Sequence, residues 1–448
     1  MKTSAPSNFL KISIPPGFQE ERRYILSTLF EDFLGTPILL SSHKEPIYRI
    51  TLANGNTLLI EDRFFIKFLA CKNYLSIKNL PFPCKTLSLL NLQNLPVLYG
   101  NQTIEIQTSR IRCGLDIFAS SFFMLSRWEE YVSPDRDLFD RFPARNSIAF
   151  QNNFLDRPLV NEYTELLWKF LLLLGYKGER KKQCYRFALT HDVDFSFKWS
   201  SPKIKTFLRG CRKNPLMFFH NTSEYLQIRT GRKKDPFNTY SFMMDEAEKN
   251  NLISHFYFMA KEYCKYDGNY HSHSPEIKNL MRNIHERRHK IGFHPSFLSH
   301  KEAQQWKREK RLIDKSSPQK VLGGRQHYLR FSVPDTWQIW EDAGMEYDST
   351  LSFADREGFR CGCCFPFHPF NIKTRKKLQL LERPLIAMDG SLMHYQRLSP
   401  QKISDRISRL VSQVRKFHGE FVFLWHNSSF SHPQYRELFS EILSFSSP

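Results

Sequence analysis

From about residue 185 onward, short apolar runs alternate with longer amphipathic stretches. The runs fall at 185–189, 253–258, 290–293, 321–325, 345–347, 378–381 and 420–424. Each is of strand length. Between most of them, apolar residues recur at helical spacing, which predicts helices over 240–249, 275–288, 301–314 and 401–417. A repeated strand-then-helix order means a parallel sheet covered by helices. Seven strand positions predict a barrel or near-barrel.

The earlier residues have a different texture. Residues 48–52 and 57–60 flank Ala53, Asn54, Gly55 and Asn56. Asn54 and Gly55 supply the positive φ that a tight hairpin needs. A second short strand pair is expected around Tyr99, Gly100 and Asn101. Residues 116–131 predict a helix with Ile117, Phe118, Phe122, Met124 and Leu125 roughly on one face, and residues 161–174 a largely buried helix. The polar run 176–183 is a plausible linker. No internal repeat is present. The expected fold is α/β: a distorted (β/α)7 barrel over residues 181–448, preceded by a smaller α+β domain over residues 1–180.

Composition narrows the classes. Of 448 residues, 41% are hydrophobic and 25% charged, which argues against a largely disordered chain. The longest apolar stretch, 166–174, is broken by Lys169 and falls short of the roughly 20 residues that span a bilayer. The first residues have no apolar core of a secretory signal, so a cytoplasmic location is expected. Lys and Arg number 65 against 45 Asp and Glu, a formal charge of +20. Such a charge suits nucleic acid, anionic lipid or an acidic glycan. No nucleic-acid recognition motif accompanies it, so no specific nucleic-acid partner is expected. Part of the charge clusters at 203–234, where Glu224 is the single acid among nine Lys and Arg. That stretch reads as a solvated basic segment, or as contact with a polyanion or, peripherally, with an anionic membrane surface. Nine Cys, an odd number without framework spacing, read as reduced thiols. Cys361, Cys363 and Cys364 lack the paired spacing of a zinc site and are expected to be buried or loop thiols.

Ionisable groups follow most strand candidates: Asp192 and Asp194, then His294, Arg325 with His327, Asp348, Glu382 and His426. In a parallel barrel the active site is built at the C-terminal strand ends. Two Asp residues two apart, just past a strand, can divide the work. One binds a cation and the other takes a proton from water. The alternative is an Asx-turn. His294 with those carboxylates suits a divalent ion with open positions, or is a satisfied structural histidine. Arg325 can hold a carboxylate or bind an anionic substrate, and Tyr328 can stack on a sugar ring. The alternative for Arg325 is a structural ion pair. His426 suits a general acid with Trp425 as pocket wall, or caps the last strand.

In order and spacing, residues of about 185–430 resemble the polysaccharide deacetylases, the NodB-like carbohydrate esterases. That family has a distorted seven-stranded barrel and five ordered motifs. Thr190, Asp192 and Asp194 look like its first motif with the second acid moved one residue on. The resemblance implies that Asp192 is the base and Asp194 the metal ligand, or the reverse. His294 matches the first His of a His-x-x-x-His metal motif whose second position, 298, is Leu here. Arg325, His327 and Tyr328 resemble an Arg-x-Pro-Tyr motif with His for Pro. Arg325 would orient Asp192, the group would contact substrate, and His327 is a candidate for the missing ligand. Asp348 loosely matches the fourth motif. Leu424 and His426 match the fifth, implying that His426 is the general acid. The sequence also looks like a divergent bacterial branch in which an uncharacterised domain precedes the barrel. The resemblance implies a divalent ion, zinc foremost, and hydrolysis of N-acetyl groups on an amino sugar. The substrate would be a surface polysaccharide or its precursor, as an acetylated glycan or lipid-linked sugar. The rival expectation is a catalytically inactive barrel that binds glycan or a biosynthetic partner. Every motif lies after Tyr185, so the N-terminal unit is expected to supply no catalytic residue.

Overall fold

The computed structural model describes residues 9–199, 215–430 and 432–447. Its N-terminal part holds a six-stranded mixed sheet and a separate hairpin. The strands are β1 (Leu10–Ile14), β2 (Ile38–Ser42), β3 (Ile47–Thr51), β4 (Thr57–Glu61), β5 (Lys85–Leu89), β6 (Leu92–Val97), β7 (Gly100–Ile106) and β8 (Arg110–Leu115). The sheet order is β2-β1-β3-β4-β8-β7, with β5 and β6 paired apart from it. β3 and β4 form the expected hairpin, and Gly55 carries the positive φ, 85°. The pair expected around Tyr99 is absent. β7 pairs with β8 instead, and β6 with β5. Gly100, at φ 97°, starts β7 so close to β8 that a Cβ there would fall on the Gly114 carbonyl.

Residues 116–131 form two helices, Ile117–Ser126 and Trp128–Val132, broken at Arg127 with φ 53°. The first is buried all round rather than on one face. It is wedged between elements of both halves of the chain: Phe122 packs on Tyr24, Phe65 and Phe370. No regular secondary structure occurs over 176–185.

The second half is a curled, wholly parallel sheet. Its strands are β9 (Arg186–Val193), β10 (His255–Phe258), β11 (Lys290–Phe293), β12 (Gly323–Gly324), β13 (Tyr347–Asp348), β16 (Leu381–Glu382), β17 (Leu385–Met388) and β18 (Glu420–Leu424). A small hairpin of β14 (Phe370–Asn371) and β15 (Lys376–Lys377) lies between β13 and β16 in the chain. The order is β16-β13-β12-β11-β10-β9-β18-β17. The two edge strands are therefore consecutive in the chain, separated by Arg383 and Pro384 alone. Two edges joined by so short a link require the sheet to curl until they meet. The segment 381–388 is one barrel position split in two. Its first half pairs with β13 and its second with β18. Pro384 has no N–H for a ladder, which explains the break. The barrel thus has seven positions, distorted at this seam. The second half of the segment, β17, escaped the sequence reading because a proline inside an apolar run reads as a strand terminator.

Helices Tyr240–Lys249, Pro275–Glu286, Ala303–Ser316 and Pro400–Lys416 match the expected ones. Helices Asp335–Asp342 and Pro433–Ser444 complete the outer layer on the later strands. The basic stretch 203–234 is largely outside the described residues in its first half. Glu224, in its second half, pairs with Lys198 and Lys233.

The two halves share one continuous apolar core. Val160 N–H donates to the Gly362 carbonyl at 2.7 Å, Phe359 N–H to the Leu155 carbonyl at 2.7 Å, and Cys364 N–H to Asn161 Oδ1 at 3.0 Å. Arg360 pairs with Glu130, both buried. Cys361, Cys363 and Cys364 lie buried in this seam. Burial pushes the Cys363 thiol up to about 12, so these cysteines behave as apolar filling.

Gly323 and Gly324 let β12 approach its neighbours closely. A Cβ on Gly324 would lie 1.8 Å from the Phe293 carbonyl oxygen of β11. Gly324→Ala is expected to lose about 1–3 kcal/mol of stability, the usual penalty of overpacking. Urea unfolding monitored by circular dichroism measures it, and an unchanged midpoint would contradict this account of β12.

Candidate metal and active site

Strand alternation sorts the side chains at the mouth of the barrel. Thr190, Asp192 and Asp194 share one face of the chain leaving β9, while His191 points to the other. His191 is fully buried, with Nδ1 2.7 Å from the Trp425 carbonyl, and burial pushes it down to about 3. Asp192 and Asp194 instead enter a cup of about 130 Å³. The cup is also lined by His294, His327, Tyr328, Leu329, Ala354, Met388, Gly390, Tyr395, His426 and Arg141.

Asp194, His294 and His327 place one donor atom each within 4.8 Å of the others. His294 Nε2 lies 3.1 Å from Asp194 Oδ1 and 2.9 Å from His327 Nδ1, and His327 Nδ1 lies 3.3 Å from Asp194 Oδ1. Backbone carbonyls fix both rings from behind. His294 Nδ1 donates to the Arg325 carbonyl at 2.6 Å, and His327 Nε2 to the Tyr266 carbonyl at 2.8 Å. With those protons placed outward, the remaining ring nitrogens turn toward each other. Two lone pairs and a carboxylate oxygen at these separations repel one another unless a proton or cation sits among them. Donor atoms at about 2.0–2.1 Å from a tetrahedral ion would be about 3.3 Å apart, so the spacing fits such an ion. The outward hydrogen bonds are those that metal-binding histidines use. Burial alone would raise the Asp194 carboxyl, but His327, His294 and His426 hold it well below the usual carboxylate range.

Asp192 sits beside this cluster on a buried cation. Arg325 Nη1 donates to Asp192 Oδ1 at 2.9 Å and to Thr190 Oγ1 at 3.0 Å. Its other nitrogens reach the Ser349 carbonyl at 2.8 Å and Ser349 Oγ at 3.1 Å. Across the cup, His426 Nδ1 lies 2.7 Å from Asp389 Oδ1, and His426 Nε2 lies 3.6 Å from Asp194 Oδ2. The Asp389 carboxylate also accepts from the His426 backbone N–H at 2.8 Å. Burial would lower the His426 imidazole, but Asp389, then Asp194 and Asp192, push it up to about 10.

Of the residues read from the sequence, Asp192, Asp194, His294, His327, Tyr328 and His426 meet in this cup. One assignment needs correction, that of Trp425. Arg325, fully buried against Asp192, lies where the expected orienting role requires and not among the residues that line the cup. His327, expected as a substrate contact or as the missing ligand, turns its Nδ1 into the ligand cluster. Trp425 is no pocket wall. It directly precedes His426, so period-two alternation turns it away, into the layer of Phe430 and Phe439 under helix Pro433–Ser444. Asp348 and Glu382 are also buried away from the cup. Glu382 accepts from Trp337 Nε1 at 2.8 Å, and burial pushes Asp348 up to about 7.

Two functional residues were not read from the sequence. Asp389 follows β17, the strand hidden by Pro384. Arg141 comes from the N-terminal unit, which was expected to supply no catalytic residue and which lines part of the cup with this side chain. No local pattern marks it.

Residues 10–175 match the Family of unknown function (DUF7033). No curated protein matches the chain. Among solved structures, the chain is similar to a protein assigned as a polysaccharide deacetylase from Mycobacterium smegmatis. That match has 16% identity and a TM-score of 0.39, covering 59% of this chain and 85% of that one. It is also similar to a CE4 family pseudoenzyme from Bacillus anthracis, at 11% identity and a TM-score of 0.31, covering 58% of this chain and 60% of that one. A mutant CE4 family pseudoenzyme with restored enzymatic activity matches at 11% identity and a TM-score of 0.30, covering 58% of this chain and 62% of that one.

Zinc titration into the 448-residue chain is expected to show one tight site, lost in His294→Ala, His327→Ala and Asp194→Asn. Arg325→Met keeps all three donors but leaves Asp192 a buried carboxylate without its cation. It should cost about 3–5 kcal/mol of stability, read by urea unfolding. A full stoichiometry of zinc in all three donor variants would refute the assigned site.

Proposed function

We propose that this protein is a metal-dependent deacetylase that hydrolyses N-acetyl groups of an amino sugar in a surface polysaccharide or its precursor. The observation that carries the reading is the convergence, in one small cup, of a three-donor cluster with a carboxylate on one side and an imidazole held by Asp389 on the other. Asp194, His294 and His327 would hold the ion, and their two nitrogens and one oxygen suit zinc. When bound, such an ion supplies Lewis acidity to an acyl oxygen and lowers the pKa of water.

The rest is done by side chains. Asp192 Oδ1 is held by Arg325, which leaves Oδ2 to take a proton from the attacking water. His426, kept protonated by Asp389, gives its proton to the departing amine as the C–N bond breaks. Leu329, Ala354 and Met388 line an apolar side suited to the acetyl methyl. Tyr328 and Tyr395 offer flat rings for a sugar. The acetylated glycan is polymeric or carried on a lipid, and the +20 charge supports peripheral contact with an anionic membrane. The inactive-barrel reading leaned on Leu298 in the place of a second His. His327 meeting the other two donors favours the active one.

The test is acetate release from a panel of N-acetylated oligosaccharides by the zinc-loaded protein. His426→Gln should lower turnover about 10²–10⁴-fold, the range for loss of an acid–base group, with fold and zinc content unchanged. Asp389→Asn removes the main group that raises His426. The acid form is lost as pH rises through its pKa, so this variant's activity should fall off at lower pH than the wild type's. Acetate release at the wild-type rate by His426→Gln would remove the acid role. No release from any substrate by fully loaded protein would sink the deacetylase reading.

A further inference from the structure

After helix Trp128–Val132, the N-terminal unit sends residues 133–143 to the mouth of the barrel. Phe139 packs on Tyr266, Phe297 and Tyr328, at ring separations of 5.8, 6.4 and 5.1 Å. Asp140 pairs with Lys301 at 2.7 Å. Arg141, almost wholly buried, ends in the wall of the cup. Its guanidinium is held by Asp137 at 2.7 Å. From there Nη1 donates to the Tyr328 carbonyl at 3.1 Å and Nη2 to Tyr395 Oη at 2.8 Å.

The carbonyl it grips belongs to a strained turn. Tyr328 has φ 60° and Leu329 φ 53°, two consecutive side-chain-bearing residues in the left-handed region. Such backbone persists only where its surroundings over-determine it. The turn follows directly on His327, the third donor of the cluster. Within the barrel it is held by the Leu329 N–H on the Gln326 carbonyl at 3.1 Å and the Arg330 N–H on the His327 carbonyl at 3.2 Å. The grip on the Tyr328 carbonyl comes from Arg141.

We propose that Arg141 is a positioning residue for His327: by clamping the strained turn, the N-terminal unit completes the metal site of the barrel. This rests on the reading of Asp194, His294 and His327 as a metal centre. It gives the N-terminal unit a role in the chemistry without a catalytic group. A planar fork fits the task because it can bind a carboxylate, a carbonyl and a hydroxyl at once, which a lysine ammonium on a flexible stem does poorly.

The test is zinc affinity of the 448-residue chain by calorimetry, with thermal melting in the absence of metal and crystal structures of the variants. Arg141→Met is expected to weaken zinc binding about 10–100-fold, the usual effect of removing support behind a ligand, and to displace residues 327–330. Arg141→Lys should weaken it nearly as much, and Tyr395→Phe less. Lys301→Ala breaks another contact of the same loop and should leave zinc affinity unchanged. A merely structural Arg141 would lower the melting temperature without altering zinc affinity in soluble variants, and that result overturns the proposal. If Arg141→Met fails to fold, wild-type affinity in both Arg141→Lys and Tyr395→Phe overturns it equally. If the wild type binds no zinc, the metal-centre reading falls and the proposal with it. If the wild type binds and the variants match it, the proposal alone falls.

Discussion

The geometry of the cup depends on one buried guanidinium. Arg325 leaves β12 and binds Asp192 and Thr190 on β9 and Ser349 just past β13, with Tyr257 of β10 under its plane at 5.1 Å. Its own carbonyl accepts a hydrogen bond from His294 Nδ1, just past β11. Five neighbouring barrel positions are thus referred to a single residue. A buried charge is costly unless it is paired and hydrogen-bonded, and here its partners include the general-base candidate itself. The requirement to solvate Arg325 internally and the requirement to orient Asp192 are met by the same hydrogen bonds. Gly323 and Gly324 make this arrangement fit, since any side chain at Gly324 would push Arg325 off β11.

The opposite wall follows the same logic with the sign of the charge reversed. Asp389 is buried and would be costly alone, yet His426 and its backbone N–H pair with it. These carboxylates push the His426 imidazole up, while burial pushes His191, on the other face of β9, down. Two histidines on adjacent strands are thus shifted in opposite directions by their surroundings. This division of acid from base is how one pocket can run both proton transfers.

Much of this was legible in the sequence, and the failures have physical causes. Strand-length apolar runs followed by ionisable residues gave the barrel and five of the cup's titratable groups, because a parallel barrel puts its chemistry where its strands end. Trp425 was misread because adjacency to His426 was taken for shared orientation, whereas alternation demands the opposite. Arg325 and Asp348 were recognised as polar strand-end groups, but sequence alone does not separate a side chain that faces a pocket from one that supports it. Asp389 was hidden behind Pro384, where the barrel seam breaks its own strand. Arg141 lies far from every motif in sequence and reaches the cup only through tertiary contact, which no local pattern encodes.

The size of the cup constrains how the proposed substrate meets it. About 130 Å³ is well below the roughly 300–1,000 Å³ of pockets that engulf a drug-sized ligand. A cup of that size suits a short acyl group and the attacking water, while the sugar that bears the acyl group stays outside. Recognition of the glycan then falls to the rim, where Tyr328 and Tyr395 stand. Both rings are tied to Arg141, one through its carbonyl and the other through its hydroxyl. The rim is therefore the joint product of the barrel and the N-terminal unit. On the deacetylase reading, the barrel supplies the reacting groups, and the two units together set the turn behind His327 and which glycan is presented to it.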